Sequence, residues 1–261
     1  MRRLGILLLS VLLLLPPPGA TGAGTGMEDL PYRVSLGVWE EAAQVHLTLR
    51  ELGPGHYLAE FSGGATGMWS LLSRWLPERY QTEMILREGR LLPLVYREEI
   101  QVGGRRVVKE YRFDYQKGLL AYWRQTEDQE SVKKWQIPLK APVYDALSLF
   151  YNMRLGVFGP LAGGETLRVP TIPTPEPQEM ILELGPQTGQ GRKIMLTIRG
   201  KSADGGPYFI YMGPDWVPRT VWVRVLEFGK LTGHLLNPGA IMKPEQLLLP
   251  KPRMAGSEAR K

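Results

Sequence analysis

From position 32 onward the chain repeats one pattern, with apolar side chains at every second position in short runs that close on Gly, Pro, Asn or Asp. Successive side chains of a strand point to opposite faces, so this period gives each run one oily face and one wet face. Val34, Leu36 and Val38 alternate with Arg33, Ser35 and Gly37, and Val45, Leu47 and Leu49 alternate with Gln44, His46 and Thr48. The rhythm returns over residues 80–87, 91–100, 105–115, 118–125 and 131–137, with Gly103-Gly104 and Lys117-Gly118 as hairpin turns. It resumes over 179–185, 192–200, 207–212, 219–228 and 231–237. A chain patterned this way is expected to be all-β: one large curved antiparallel sheet, closed or half-open like a barrel, with its oily sides turned inward.

One stretch departs from that period with helical spacing. Asp145 suits an N-cap, Tyr144 and Leu149 a hydrophobic staple around it, and Gly156 the left-handed stop, which predicts an amphipathic helix over about 145–155. Ala146, Leu149, Phe150 and Met153 form its expected buried stripe, and Arg154 near the carboxyl end suits the helix dipole. This helix and the Pro-rich stretch 170–177 join two β halves, 30–140 and 165–240, into a single composite domain over 24–245. Residues 246–261 are expected to form a flexible basic tail.

The amino terminus carries an address. Arg2 and Arg3 precede the apolar block 4–15, then Pro16 to Pro18 and small residues through Ala23, which together read as a secretory signal peptide over 1–23. The block is shorter than the roughly 20 residues a membrane-spanning helix needs, so no transmembrane helix is expected in the mature chain. The chain has no cysteine, which removes disulfides, thiolate catalysis and lipid attachment at a cleavage-site cysteine. Formal charge is +6, and +4 without Arg2 and Arg3. Basic and acidic residues are interspersed, as in Arg97-Glu98-Glu99, instead of forming the stripe that tracks phosphates, so nucleic acid is not an expected partner.

No pattern fixes a reaction. His46, His56 and His234 lack ligand spacing, no serine sits in a nucleophile elbow, and the adjacent acids Glu40-Glu41 and Glu98-Glu99 diverge in a strand, so neither metal nor cofactor nor catalytic residue is expected. The Gly-rich stretch 185–191 before Arg192-Lys193 lacks the ending of a phosphate loop and reads as a turn between strands. Residues 67–77 place Met68, Leu71, Leu72, Trp75 and Leu76 at helical spacing beside Trp69, as a plug for one end of the sheet or as an aromatic rim. Tyr111, Phe113 and Tyr115 share one strand face, with Glu110, Arg112 and Asp114 on the other. Asp114 is expected to find an arginine or a backbone amide, because a strand disfavours aspartate.

Taken in order, several short motifs resemble a bacterial exported family labelled domain of unknown function 3108. They are the opening strand 32–39, Trp75-Leu76-Pro77 before a strand, Leu92-Pro93-Leu94-Val95-Tyr96, Phe113-Asp114, Asp145-Ala146-Leu147-Ser148 opening the helix, Arg154, and Pro218 before the last strands. The family often has proline after the cap aspartate, where this chain has Ala146, a good first-turn residue. The resemblance implies a soluble periplasmic protein of a Gram-negative-type envelope, all-β apart from a helix or two, with no established reaction.

Two functional expectations follow from the residues. In the first, a non-enzymatic periplasmic β protein binds an apolar or amphipathic envelope ligand such as a lipid, with Trp69, Leu72, Trp75, Tyr111 and Phe113 contributing. In the alternative, an envelope scaffold docks another protein through a strand edge or through the Trp69 to Trp75 segment.

Overall fold

The computed structural model describes residues 25–65, 78–102, 105–172, 178–199, 207–225, 229–239 and 241–248. Fourteen strands form one antiparallel sheet. The first eight are β1 (Thr25–Leu36), β2 (Trp39–Gly53), β3 (His56–Ala65), β4 (Glu78–Arg87), β5 (Arg90–Val102), β6 (Arg105–Asp114), β7 (Leu119–Thr126) and β8 (Val132–Pro138). After helix α1 (Ala146–Arg154) come β9 (Thr166–Thr171), β10 (Gln178–Leu184), β11 (Arg192–Arg199), β12 (Tyr208–Met212), β13 (Pro218–Val225) and β14 (Gly229–Leu235), then the short helix α2 (Pro244–Leu248). None of the described helices is long and apolar enough to cross a membrane.

The strand order is β8-β7-β6-β5-β4-β3-β2-β1-β14-β13-β12-β11-β10-β9. The chain thus starts in the middle, steps by hairpins to one edge, crosses through α1 to the opposite edge, and steps back until β14 pairs with β1. The sheet is not closed, because β8 and β9 are its edges and share no ladder. It curls nonetheless, as the partners of α1 require. Leu147 and Tyr151 pack with Leu30, Leu49, Tyr57, Met84 and Leu91 from β1 to β5, while Leu149 and Met153 pack with Val169, Met180, Leu182 and Ile194 from β9 to β11. A nine-residue helix reaches strands that far apart in the order only if the sheet wraps around it. Val143 and Ile172 complete a third cluster with Tyr96, Tyr111, Phe113, Leu120 and Tyr122 of β5 to β7.

The helix is more deeply enclosed than an amphipathic stripe implies. Leu147, Ser148, Leu149, Tyr151, Asn152, Met153 and Arg154 are all buried, whereas Ala146, expected in the stripe, is exposed and Phe150 is half-buried. Its ends follow the expectation: Asp145 accepts from the Leu147 and Ser148 amides, and the Ser148 hydroxyl accepts from the Asp145 amide, completing a capping box. Tyr144 and Leu149 share a cluster as the staple. Gly156 at φ 71° ends the helix in a Schellman motif, its amide bonding to Met153 O and that of Val157 to Asn152 O.

Polar side chains fix this enclosed helix to the wall. Asn152 receives the Leu91 amide on Oδ1 at 2.9 Å and donates Nδ2 to the Leu91 carbonyl at 2.7 Å. The β5–β6 ladder begins only at Val95, so Leu91 has no strand neighbour on that side and the Asn152 amide stands in for one. Arg154 holds both oxygens of Glu28 on β1 at 2.7 Å, a pair with side-chain exposures of 1% and 0%. Tyr151 Oη and the Met242 amide donate to the same carboxylate at 3.0 and 2.9 Å, and Arg154 Nη2 donates to the Met242 carbonyl. Met242 and Leu247 are thereby drawn into the core, so the segment that leads into α2 closes this end of the sheet.

Four further departures have physical causes. Strand β3 occupies residues for which no strand was expected and carries Gly63-Gly64; a Cβ on Gly63 would collide with Val45 Cγ1 and lie 2.6 Å from Gln44 O, so glycine there serves close strand contact. Strand β9 was hidden by Pro170, which an edge strand accommodates. Val38, assigned to an oily face, lies in the β1–β2 turn at 86% exposure. The carboxyl-terminal boundary also lies later than 245, since Leu247 is buried at 2%.

Candidate functional site: an aromatic cleft on the outer sheet face

The expected ligand residues separate into two groups. Trp69, Leu72 and Trp75 lie outside the described residues. Tyr111 (0% exposed) and Phe113 (6%) are packed core side chains. Tyr111 stacks on Tyr122 with ring centroids 4.9 Å apart and touches Tyr96 and Trp135 at 5.9 and 6.0 Å. Burial, reinforced by the nearby Glu98 charge, raises its phenol well above the ordinary range, so it stays protonated. Glu98 shares the inner face of β5 with Tyr96 and bonds Lys109 at 3.1 Å, while its neighbour Glu99 turns outward to Arg97 and Arg106. The two acids diverge, as strand alternation requires.

Asp114 accepts from the Lys117 amide at 2.9 Å, which lowers its carboxyl pKa and marks it as a turn residue. Asp145 is fully buried. Its Oδ1 accepts from Thr82 Oγ1 at 2.6 Å in addition to the two helix amides, and Oδ2 accepts from Ser148 Oγ at 2.6 Å. Burial still outweighs these bonds and raises its carboxyl pKa. A buried acid with a raised pKa can signal catalysis, but each oxygen here already has an architectural partner.

The feature that does not serve the core lies on the opposite face of β10 to β14. In β11 and β12, Ile194 and Met212 point inward, so Lys193, Met195, Phe209 and Tyr211 point outward. Cross-strand register aligns Glu183, Met195, Phe209, Trp222 and Thr232 in one outer row, and Lys193, Tyr211 and Thr220 in the next. Phe209 and Trp222 stack with centroids 4.0 Å apart and planes 13° apart, and the Lys230 ammonium sits 4.7 Å from the Trp222 ring centroid. Apart from Thr232, these side chains and Glu165, near Glu183, line a cleft of about 850 Å³. The floor is thioether and aromatic, and the rim carries both signs of charge. A second outer cleft of about 520 Å³ over β3 to β6 sets Leu58 and Val95 among Gln81, Glu83, Arg97, Glu110 and Arg112, so it has no aromatic floor and more ionic side chains than apolar ones.

Sequence reasoning missed the aromatic cleft. Its floor and charged rim come from five separate strands and the loop before β9, and Phe209, Tyr211 and Trp222 look like ordinary β-formers until register places them side by side. The available signal was that β12 and β13 have large apolar residues on both faces, with Ile210 and Met212 on one and Phe209 and Tyr211 on the other. Such two-sided runs belong in covered sheets, whereas this face lacks a covering layer among the described residues.

Fold and cleft define a class: a curled single-sheet β protein with an enclosed helix and a lateral aromatic cleft. The family described as "Protein of unknown function (DUF3108)" matches residues 31–183, more than half of the chain, and the chain belongs to that family. The matched stretch runs from β1 into β10 and contains α1 with its caps, whereas β11 to β14 lie beyond it. Similar solved structures include a β-barrel-like protein of domain of unknown function DUF1849 from Brucella abortus, at 8% identity and TM-score 0.49, covering 83% of this chain and 98% of that one. Another is a DUF1089 family protein from Pseudomonas aeruginosa, at 14% identity and TM-score 0.34, covering 71% and 92%. No curated protein matches the chain.

Proposed function

We propose that this is an exported, periplasmic, non-enzymatic protein of a Gram-negative-type envelope that binds an amphipathic ligand such as a lipid in the outer cleft of β10 to β14. One observation carries the reading: the row Met195, Phe209 and Trp222 puts a continuous apolar strip, with a stacked aromatic pair, on the outer face of β11 to β13. An acyl or isoprenoid chain laid along it removes apolar surface from water at about 25 cal/mol per Å². The ammonium groups of Lys193 and Lys230 are placed for an anionic headgroup. The export signal of residues 1–23 supplies the compartment where such molecules are plentiful. This moves the expected ligand surface from the concave side, where α1 and three side-chain clusters pack, to the convex side.

The edges of the sheet offer less support for a docking scaffold. Residues 143–145 cover β9, with Tyr144 bonded to Pro170 and Ile172, and β8 presents Lys133 and Lys134, residues that discourage strand addition. The test is organic extraction of gently purified protein followed by mass spectrometry, with oleate titration monitored by melting temperature. The cleft reading expects co-purified lipid and a saturable stabilisation that Trp222→Ala weakens by about tenfold or more. An extract without lipid, together with no response to oleate, would refute it.

A further inference from the structure

At the end of the sheet closed by the Met242 segment, the connection between β10 and β11 meets the β12–β13 hairpin above one cation. Arg192 is 7% exposed and points to the inner side, opposite Lys193. Its Nε donates to Gln187 Oε1 at 2.6 Å, its Nη1 donates to the Leu161 carbonyl at 2.6 Å, and its guanidinium carbon lies 4.8 Å from the Trp216 ring centroid. Every one of these partners is neutral. Among the described residues no carboxylate forms an ion pair with it within 4.0 Å, and none of them bonds Nη2. The nearby acids are engaged elsewhere: Asp215 pairs with Arg219 at 2.8 Å, and Glu165 accepts from the Ala162 amide at 3.0 Å. The guanidinium is thus fixed by neutral dipoles on Nε and Nη1 and by an aromatic ring, while Nη2 stays open toward solvent and can meet an anion.

The cover over this cation carries a second, independent sign. Trp216 has φ 58°, a left-handed conformation that favours glycine, in a turn where its amide bonds to Gly213 O at 3.0 Å and Gly213 N bonds to Val217 O at 2.9 Å. A bulky residue kept in that conformation is strain of the kind that gathers at ligand clamps. The loops beneath are packed tightly. A Cβ on Gly191 would collide with Met212 O, and one on Gly163 would lie 2.8 Å from Pro186 Cα. The Arg192 head group is therefore presented by rigid backbone.

We propose that Arg192 is the receiving cation of an oxyanion site, with Trp216 as its cover, that takes a carboxylate or phosphate group through Nη2. The site lies on the inner side of β11, apart from the outer cleft, and stands whether or not that cleft binds lipid. The chemistry is a charge-assisted hydrogen bond from a pre-oriented guanidinium.

The test uses the full mature chain at constant ionic strength, replacing chloride with inorganic phosphate in one arm and acetate in the other. Wild type should show a saturable rise in melting temperature, about 3–5 °C at tenfold excess over Kd for a chain of this size. R192Q should abolish it, R192K should retain it with weakened affinity, and K193Q, which removes the same charge from the opposite face, should leave it intact. A response to phosphate alone assigns a phosphate group, and a response to acetate admits a carboxylate. Should R192Q fail to fold, the Arg192 Nε–H resonance of the wild type must shift with the same isotherm. No saturable response in wild type, an equal response in R192Q, loss in K193Q, or an unmoved Arg192 resonance would each overturn the proposal.

Discussion

At the scale of single residues, the decisive groups are polar ones inside an oily enclosure. Glu28 and Arg154 form an ion pair shielded from water, so removing one member leaves a buried charge whose cost, about 3–5 kcal/mol, exceeds what the intact pair contributes. Glu28→Leu and Arg154→Met should each lower unfolding free energy in urea by about that amount. The double variant Glu28→Leu/Arg154→Met should recover part of the loss, and strict additivity would argue against the coupling. Asp145 makes a prediction in pH. Its carboxyl pKa is raised in the folded state above the ordinary 3.8, so the folded protein binds more protons there than the unfolded chain. Its contribution is fully present below 3.8 and is lost as pH rises through the folded value. Asn at this position keeps the Oδ1 acceptor for Thr82 and the two amides and offers Nδ2 to Ser148 Oγ without a charge. Melting temperatures should therefore favour Asp145→Asn over wild type more at pH 7 than at pH 4. A difference that is constant with pH would show that the carboxyl does not titrate this way.

At the scale of elements, α1 was legible at its ends and misread along its sides. Caps are local, so Asp145, Ser148 and Gly156 declare themselves in sequence. Burial of Ser148, Asn152 and Arg154 is not local, because it depends on a sheet that closes over the helix from both edges, and an amphipathic reading assigns those residues to water. Strands failed for the same reason wherever tertiary contact overrode composition: Gly63 fits only because Val45 crowds it, and Pro170 only because β9 lies at an edge. The cleft was least legible of all, since cross-strand register brings Met195, Phe209 and Trp222 together. The helix-to-sheet link predicts a specific weakness. Asn152→Ala leaves the Leu91 amide and carbonyl without partners in the core and should cost about 2–4 kcal/mol in chemical denaturation. Asn152→Leu should be no better, although it restores volume, because the loss lies in the hydrogen bonds. Rescue by leucine would mean that packing is the main contribution.

At the scale of the whole molecule, the sheet is an open ribbon that has to be kept curled, and the contacts that do so lie outside the strand ladders. Residues 143–145 tie β9 to the base of α1, α1 reaches β1, β4 and β5 through Arg154, Asp145 and Asn152, and the segment around Met242 locks the end where Glu28 and Arg154 meet. Because the two edges share no hydrogen bonds, curvature is a tertiary property, and losing a lock should loosen the whole structure instead of fraying one hairpin. Two truncations separate the lock from the tail that follows it. Stopping after Leu248 keeps Met242 and Leu247 in the core and should leave the melting temperature within about 2 °C of the full chain, a shift of under roughly 1 kcal/mol. Stopping after Gly239 removes both buried side chains and strips Glu28 and Arg154 of their Met242 backbone partners, a loss on the order of 5 kcal/mol. For a chain of this length that loss corresponds to a fall of about 10–20 °C, and it should come as a single cooperative shift in scanning calorimetry. If the shorter chain instead melted in two steps with the upper one unchanged, the carboxyl-terminal segment would be an appendage and the curl would be intrinsic to the sheet.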